Sequence, residues 1–154
     1  MTYRMQGLSP AEFKPLFALD EEALAARGAL SVEAGERGYP CRISLEEARA
    51  GERLLLINHV SHPVAGPFRT AYAIYVREAA EEAGIFVDEP APVLKTRTLG
   101  LRGFDAQGML RGALLAQPGE ADARIRELFE RPEIATIHAH NAAHGCFLAR
   151  VERE

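Results

Sequence analysis

The chain has 154 residues, of which 47% are hydrophobic and 26% are charged. This composition excludes a disordered or collagen-like protein, and the length predicts a single globular domain over residues 1–154. Lys and Arg number 18 and Asp and Glu 22, giving a formal net charge of −4. Without a basic excess to attract a phosphate backbone, we expect no nucleic-acid partner.

The sequence also lacks the signals of membrane insertion and export. Its longest aliphatic stretch, Leu54–Ile57, has the length of a strand rather than of a membrane span. Residues Met1–Gly7 contain no apolar signal core. The only cysteines, Cys41 and Cys146, form no C-x-x-C pair. We therefore expect a cytoplasmic protein with no membrane partner and two reduced thiols.

The first 28 residues are predicted to form a helical hairpin. Ser9 can cap a helix whose first turn holds Pro10, and Glu12 can complete a capping box. Asp20 can cap a second helix that ends at Gly28. Both helices would pack their apolar side chains on a core.

The next part of the chain alternates strand patterns with turn signals. A short strand is predicted at Ala29–Ala34, and the capping-box pattern beginning at Ser44 predicts a short helix that ends at Gly51. The periodicity then favours strands at Arg53–His59 and Thr70–Arg77. The prolines and glycine of Ser61–Pro67 predict an irregular loop between these two strands.

Two hairpins and one helix complete the predicted fold. The patterns favour strands at Thr96–Phe104, Met109–Ala116, Ile134–His140 and Phe147–Glu152, and a helix at Glu120–Glu130. Turns at Asp105–Gly108 and Asn141–Gly145 would join the strands of each hairpin. We therefore predict an α+β fold, with the N-terminal helical hairpin and one later helix packed on a largely antiparallel sheet. Rossmann, Walker and α/β-hydrolase motifs are absent.

Clustered histidines indicate one candidate site. The five histidines fall in two short windows: His59 and His62, then His138, His140 and His144. On a strand His138 and His140 share a face, so both could bind one transition metal, with His144, His62 or Cys146 completing the site. A five-residue loop would pair Cys146 with His140, whereas a four-residue loop would place it on the opposite face. A metal ion bound there would activate water or dioxygen, so this hypothesis predicts a metal-dependent hydrolase or oxygenase. The alternative is that these histidines only form hydrogen bonds within the sheet or cap the hairpin.

Arginines beside turn-rich segments indicate another site. Arg42 and Arg69 could clamp a small anion, because a guanidinium binds carboxylate or phosphate bidentately. His140 would act as a donor or general base, and Asn141 would orient the ligand. The predicted lining residues of this pocket are Cys41, Arg42, His62, Arg69, His140, Asn141 and Cys146. The alternative for an arginine is surface pairing, as for Arg77, which has Glu78 and Glu81 within local reach.

The sequence is also compatible with other classes of protein. Cys41 or Cys146 could be a nucleophile with a histidine base, although a small buried thiol also explains either residue. A non-catalytic interaction module, including a homo-oligomer formed through an exposed strand edge, would need neither metal nor anion. The sequence assigns no catalytic residue and does not decide whether the protein is an enzyme.

Several segments together resemble an uncharacterised bacterial family, domain of unknown function 1203. They are Gly38–Arg42 with Ser44-Leu45, Gly51–Arg53 with Leu55-Leu56, Ala73–Glu78, Leu101-Arg102 with Phe104-Asp105, and His138–Ala142 with Gly145-Cys146. The resemblance spans nearly the whole chain, and it implies one domain and a bacterial source. It implies no activity, cofactor or catalytic residue, so the anion and metal hypotheses rest on residue chemistry alone.

Overall fold

The computed structural model describes all residues, 1–154, and contains nine β-strands and three short α-helices. The strands are β1 (Tyr3–Gln6), β2 (Ala29–Glu33), β3 (Arg53–His62), β4 (Thr70–Arg77), β5 (Ile85–Val87), β6 (Leu99–Phe104), β7 (Leu110–Ala116), β8 (Thr136–Asn141) and β9 (Phe147–Arg153). The helices are α1 (Glu21–Ala25), α2 (Pro92–Lys95) and α3 (Ala121–Phe129). None of the helices has both the length and the apolar character that a membrane-spanning helix needs.

The strands form two sheets rather than the one predicted. The larger has six strands in the order β5-β1-β9-β8-β6-β7, and the smaller has the order β2-β3-β4. Every pairing between these strands is antiparallel, which confirms the predicted α+β class and antiparallel sheet. The first strand, β1, lies between β5 and the last strand, β9.

Each sheet has its own hydrophobic core. One face of the six-stranded sheet packs on α3, where Leu101 and Ile137 belong to the same buried cluster as Ile125. A smaller cluster under the three-stranded sheet joins Ile57 and Ile74 to side chains of the N-terminal segment. The opposite face of β8 is also buried, because its histidines lie against residues of β3 and β4. This second contact places polar side chains between the sheets.

The predicted N-terminal helical hairpin is not confirmed. Residues Pro10–Glu12 and Lys14–Ala18 form two short 3-10 helices, and only α1 is α-helical. The Ser9 side chain makes no capping hydrogen bond, whereas Asp20 accepts one from the Ala23 N–H at 2.8 Å, as predicted. Pro15 has no N–H to donate, so it would interrupt an α-helix that continued from Pro10. Short 3-10 turns on either side of it are compatible with this proline.

The predicted helix that starts at Ser44 and ends at Gly51 is wrong, because this segment folds back on itself. Cys41 N–H donates to the Glu46 carbonyl at 2.9 Å, and Ala48 N–H donates to the Tyr39 carbonyl at 2.9 Å. Leu45 has φ of 58° and is completely buried. Burial of this leucine therefore overrides the local capping-box signal, and the turn carries Arg42 into the interior.

Candidate functional site

Arg42 is held between the two sheets by backbone contacts on both sides. Its N–H donates to the carbonyl of Tyr75 in β4 at 3.1 Å, while its own carbonyl accepts from Leu8 N–H at 2.8 Å. Two glycines permit this close approach. A Cβ at Gly7 would lie 1.8 Å from the Ile43 carbonyl oxygen, and one at Gly84 would lie 2.1 Å from that of Ser44. The backbone around Arg42 is therefore closely packed against its neighbours.

The Arg42 side chain is a buried cation without an acidic partner. Only 2% of the residue is exposed. Its Nε–H donates to the Phe147 carbonyl at 2.8 Å and its Nη1 to the Pro40 carbonyl at 2.7 Å, whereas no oxygen accepts a hydrogen bond from Nη2. No carboxylate forms an ion pair with it. Burial lowers the pKa of Arg42, and the nearby sulfur of Cys146 partly opposes this effect.

This guanidinium lines a cavity of about 420 Å³, which we call the Arg42 cavity. Its lining residues are Gly38, Pro40, Arg42, Tyr72, Ala73, Tyr75, Arg97, Asn141, His144 and Cys146. They include two arginines and no Asp or Glu. Arg97 is the better neutralised of the two, because it pairs with Glu47 and donates to the Val93 carbonyl at 2.8 Å. The cavity therefore presents hydrogen-bond donors and positive charge.

The hairpin between β8 and β9 supplies the polar end of the Arg42 cavity. Asn141 N–H donates to the Cys146 carbonyl at 2.9 Å, which leaves a four-residue loop between them. The Asn141 Oδ1 accepts from the N–H groups of Ala143 at 3.0 Å and His144 at 3.1 Å. Since the oxygen is occupied by the loop, the side-chain Nδ2 is the group available to a ligand. Cys146 therefore lies opposite Asn141 across the hairpin. A register shift pairs His140 with Phe147 rather than with Cys146.

A larger cavity of about 690 Å³ also borders Arg42 but has a different character. Glu12 and Glu152 line it together with Arg150, so the charges around it are mixed. Its size alone makes it no better a candidate, because mixed charges select no class of ligand. The Arg42 cavity is smaller, but it is lined by arginines and by no acidic residue. We therefore take it as the candidate functional site.

Three of the histidines form a separate cluster between the sheets. The rings of His62 and His138 lie 4.9 Å apart, and those of His138 and His140 lie 6.4 Å apart. Burial lowers the pKa of His138 to about 3 and that of His140 to about 4, so both are neutral near pH 7. His140 Nδ1 lies 3.0 Å from the Gly145 carbonyl oxygen, which can only accept, so this nitrogen carries the ring proton. His140 therefore supports the hairpin loop.

The predicted metal ligands are divided between two places. His138 and His140 share a face as expected, but His144 is on the hairpin loop and lines the Arg42 cavity. No group of three or more His, Cys, Asp or Glu side chains is arranged to hold a metal ion. Phe104 and Phe147 surround His138 instead, with ring centroids at 5.0 and 5.4 Å.

The structure brings together only part of the predicted anion pocket. Arg42, Asn141 and Cys146 line one cavity, whereas Cys41 is buried beside it and His140 is packed against Tyr72. His62 lines a different cavity, with His138 and Arg150. Arg69 is exposed and does not line the Arg42 cavity.

Sequence reasoning missed Arg97, which replaces Arg69 as the second arginine, and the tyrosine walls Tyr72 and Tyr75. Tyr75 had a detectable signal, because it lies in one of the segments that carry the family resemblance. Arg97 had none, since it follows a short helix that the pattern did not predict.

Fold and site together define an α+β protein with two antiparallel sheets and an arginine-lined cavity at their junction. The family described as protein of unknown function (DUF1203) matches residues 38–153, and the chain belongs to this family. Every residue lining the Arg42 cavity lies within the matched range. No curated protein and no solved structure matches the chain.

Proposed function

We propose that the protein binds a small anionic molecule in the Arg42 cavity. One observation carries this function: a guanidinium that is only 2% exposed has no carboxylate partner, yet it lines a cavity without acidic residues. Removing a charge from water costs several kcal/mol unless an opposite charge or hydrogen bonds compensate. Two carbonyls compensate Arg42 in part. A bound anion would supply the missing negative charge.

Each polar residue of the Arg42 cavity has a separate role in this binding. Nη2 of Arg42 takes no part in the two hydrogen bonds to carbonyls and would donate to the anion, and Arg97 adds a second guanidinium from the segment after α2. Asn141 offers its Nδ2 because the loop occupies its Oδ1. Tyr72 and Tyr75 provide walls suited to the carbon skeleton of the ligand. We therefore expect a carboxylate or phosphate on a small organic body.

A thermal-shift screen tests this function directly. Wild-type protein is heated with inorganic phosphate, citrate, glutamate and benzoate, and sodium chloride at equal ionic strength controls for screening. At least one anion should raise the unfolding midpoint, since a ligand that binds only the folded state stabilises it by mass action. Calorimetry on the best anion then gives its Kd.

Two arginine variants with the same loss of charge identify the site. Arg97→Met should weaken the best anion at least about tenfold, which corresponds to about 1.4 kcal/mol of binding free energy. Arg69→Met should leave the Kd unchanged, because Arg69 is exposed and outside the cavity. Anion binding in the Arg42 cavity is refuted when no anion shifts the wild type, or when both variants bind as well as the wild type.

A further inference from the structure

The two cysteines lie in contrasting environments. Cys41 is completely buried, and its Sγ accepts hydrogen bonds from the N–H groups of Ile43 and Arg77, each at 3.4 Å. Cys146 is half-buried and lines the Arg42 cavity. Only Cys146 therefore combines contact with a cavity and access to solvent. Both cysteines are free thiols.

A second observation distinguishes Cys146 from an ordinary surface thiol. Arg42 donates its Nε–H to the carbonyl of Phe147, the residue that follows Cys146, at 2.8 Å, and both side chains line the Arg42 cavity. Because no carboxylate pairs with Arg42, its charge is not already neutralised. The thiolate is the nucleophilic form of cysteine, and the guanidinium groups that line the same cavity would attract an anionic disulfide to it. Arg97, which pairs with Glu47, adds a second guanidinium to the same cavity.

We propose that Cys146 is a nucleophilic thiol that is modified by small disulfides bearing a carboxylate. This reactivity rests on the proposed anion binding, because Arg97 and Arg42 would hold the carboxylate while the disulfide lies against the sulfur. The ligand class follows from the residues present: guanidinium groups recognise the anion, and a thiolate attacks the sulfur–sulfur bond.

The reaction is a thiol–disulfide exchange. The Cys146 thiol loses its proton to solvent through the open side of the cavity, and the thiolate attacks one sulfur of the small disulfide. A new bond joins that sulfur to Cys146 Sγ while the original sulfur–sulfur bond breaks. The other half of the small molecule leaves as a thiolate. The small disulfide is the oxidant and Cys146 is oxidised to the mixed disulfide, so no further reagent is required.

Two aromatic disulfides of different charge test this reaction on the native wild-type protein. Dithiobis(nitrobenzoate) carries carboxylates, whereas dithiodipyridine is uncharged at about pH 7. Release of the leaving thiolate gives the rate, and peptide mapping of quenched samples gives the modified residue. We expect one adduct per native chain, on Cys146, formed at least about tenfold faster than at Cys146 in the urea-unfolded chain. Cys41 should react only after unfolding.

The arginine variants show whether the cavity recognises the carboxylate. Arg97→Met should lower the rate with the anionic disulfide at least about fivefold relative to the rate with the uncharged one. Arg69→Met should leave this ratio unchanged. An adduct on native Cys41, a Cys146 rate no higher than in the unfolded chain, or a rate ratio that Arg97→Met does not alter would each overturn the reactivity of Cys146 with anionic disulfides.

Cys146→Ser separates this reactivity from anion binding itself. If the serine variant and the wild type both show the anion-induced thermal shift while native Cys146 stays inert, the nucleophile is refuted and anion binding stands. If no anion shifts either protein and the two disulfides react alike in wild type and Arg97→Met, the reactivity and the proposed function both fail.

Discussion

The Nε–H of Arg42 donates to the carbonyl oxygen of Phe147 at 2.8 Å, and this bond joins the segment beside the smaller sheet to the six-stranded sheet. Arg42 lies on the segment beside β4, whereas Phe147 begins β9 of the six-stranded sheet. The same side chain also holds the Pro40 carbonyl. Arg42 is therefore both a structural cross-link and the charged group of the candidate site.

Removing this cross-link should destabilise the protein. Arg42→Met keeps an extended apolar side chain but leaves two buried carbonyls without their donor. We expect the free energy of unfolding in urea to fall by about 1–3 kcal/mol. Arg69→Met, at an exposed position, should change it by less than about 0.5 kcal/mol. Equal stability of Arg42→Met and the wild type would show that other groups satisfy these carbonyls.

Substitutions of Asn141 distinguish its contribution to the stability of the loop from its contribution to anion binding. Asn141→Asp retains an oxygen that can accept from the N–H groups of Ala143 and His144, so its unfolding free energy should stay within about 1 kcal/mol of the wild type. It also places a negative charge in the Arg42 cavity and should weaken anion binding at least about tenfold by calorimetry.

Asn141→Ala should show the opposite balance. It removes both loop hydrogen bonds and should lower the unfolding free energy by about 1 kcal/mol. It adds no charge to the cavity, so its loss of anion affinity should be smaller than that of Asn141→Asp. The reverse order of affinities would mean that Asn141 does not face the bound anion.

The close backbone approach near Arg42 predicts a position-specific effect of glycine substitution. In Gly84→Ala the new Cβ would lie 2.1 Å from the Ser44 carbonyl oxygen, so backbone must move. We expect a loss of about 1–3 kcal/mol in unfolding free energy, together with weaker anion binding. Gly100→Ala is the matched control, because its Cβ would meet no atom within 4 Å. Similar thermal unfolding midpoints for the two variants would contradict this packing.

The buried histidines predict a loss of stability in mild acid. An unfolded histidine has a pKa of about 6.5, whereas burial lowers the pKa of His138 to about 3 and that of His140 to about 4. Between these values the unfolded chain binds more protons than the folded chain, so stability is complete above about pH 6.5 and falls as pH falls. Each histidine contributes at most about 1.4 kcal/mol per pH unit in this window.

Urea unfolding between about pH 6.5 and pH 5 measures this effect before most carboxylates titrate. His138→Phe is the informative variant, since the residue packs between Phe104 and Phe147 and also faces His62 and the cations Arg102 and Arg150. Its stability should depend less on pH than that of the wild type. An unchanged slope would mean that His138 is not the group that resists protonation.

The sequence predicted those elements that have strong local patterns. The strand Thr70–Arg77 and the turn Asp105–Gly108 are confirmed, and helix α3 lies one residue inside its predicted limits at both ends. The four-residue strand β1 was missed, although Tyr3 and Met5 alternate with polar residues. Its position is decided by pairing with β5 and β9, which is a long-range property.

The candidate site was predicted in part for the same reason. Arg42 and Cys146 stand in unusual local segments, so their chemistry could be recognised before their positions were known. Nothing in the sequence distinguishes Arg97 from Arg69. Helix α2 packs against the turn that follows Arg42, where Val93 N–H donates to the Leu45 carbonyl at 3.2 Å, and this packing brings Arg97 to the cavity. Which arginines converge is therefore a tertiary property that residue type does not determine.

The pairing of β1 with β9 also constrains the order of events in the cell. Residues 3–6 leave the ribosome well before their neighbours 150–153 have been synthesised. Strand β5, which pairs with β1 alone, has no completed sheet to join until then. The six-stranded sheet therefore closes after β9 has been synthesised, and such distant pairings make folding slow relative to a helical protein of the same length.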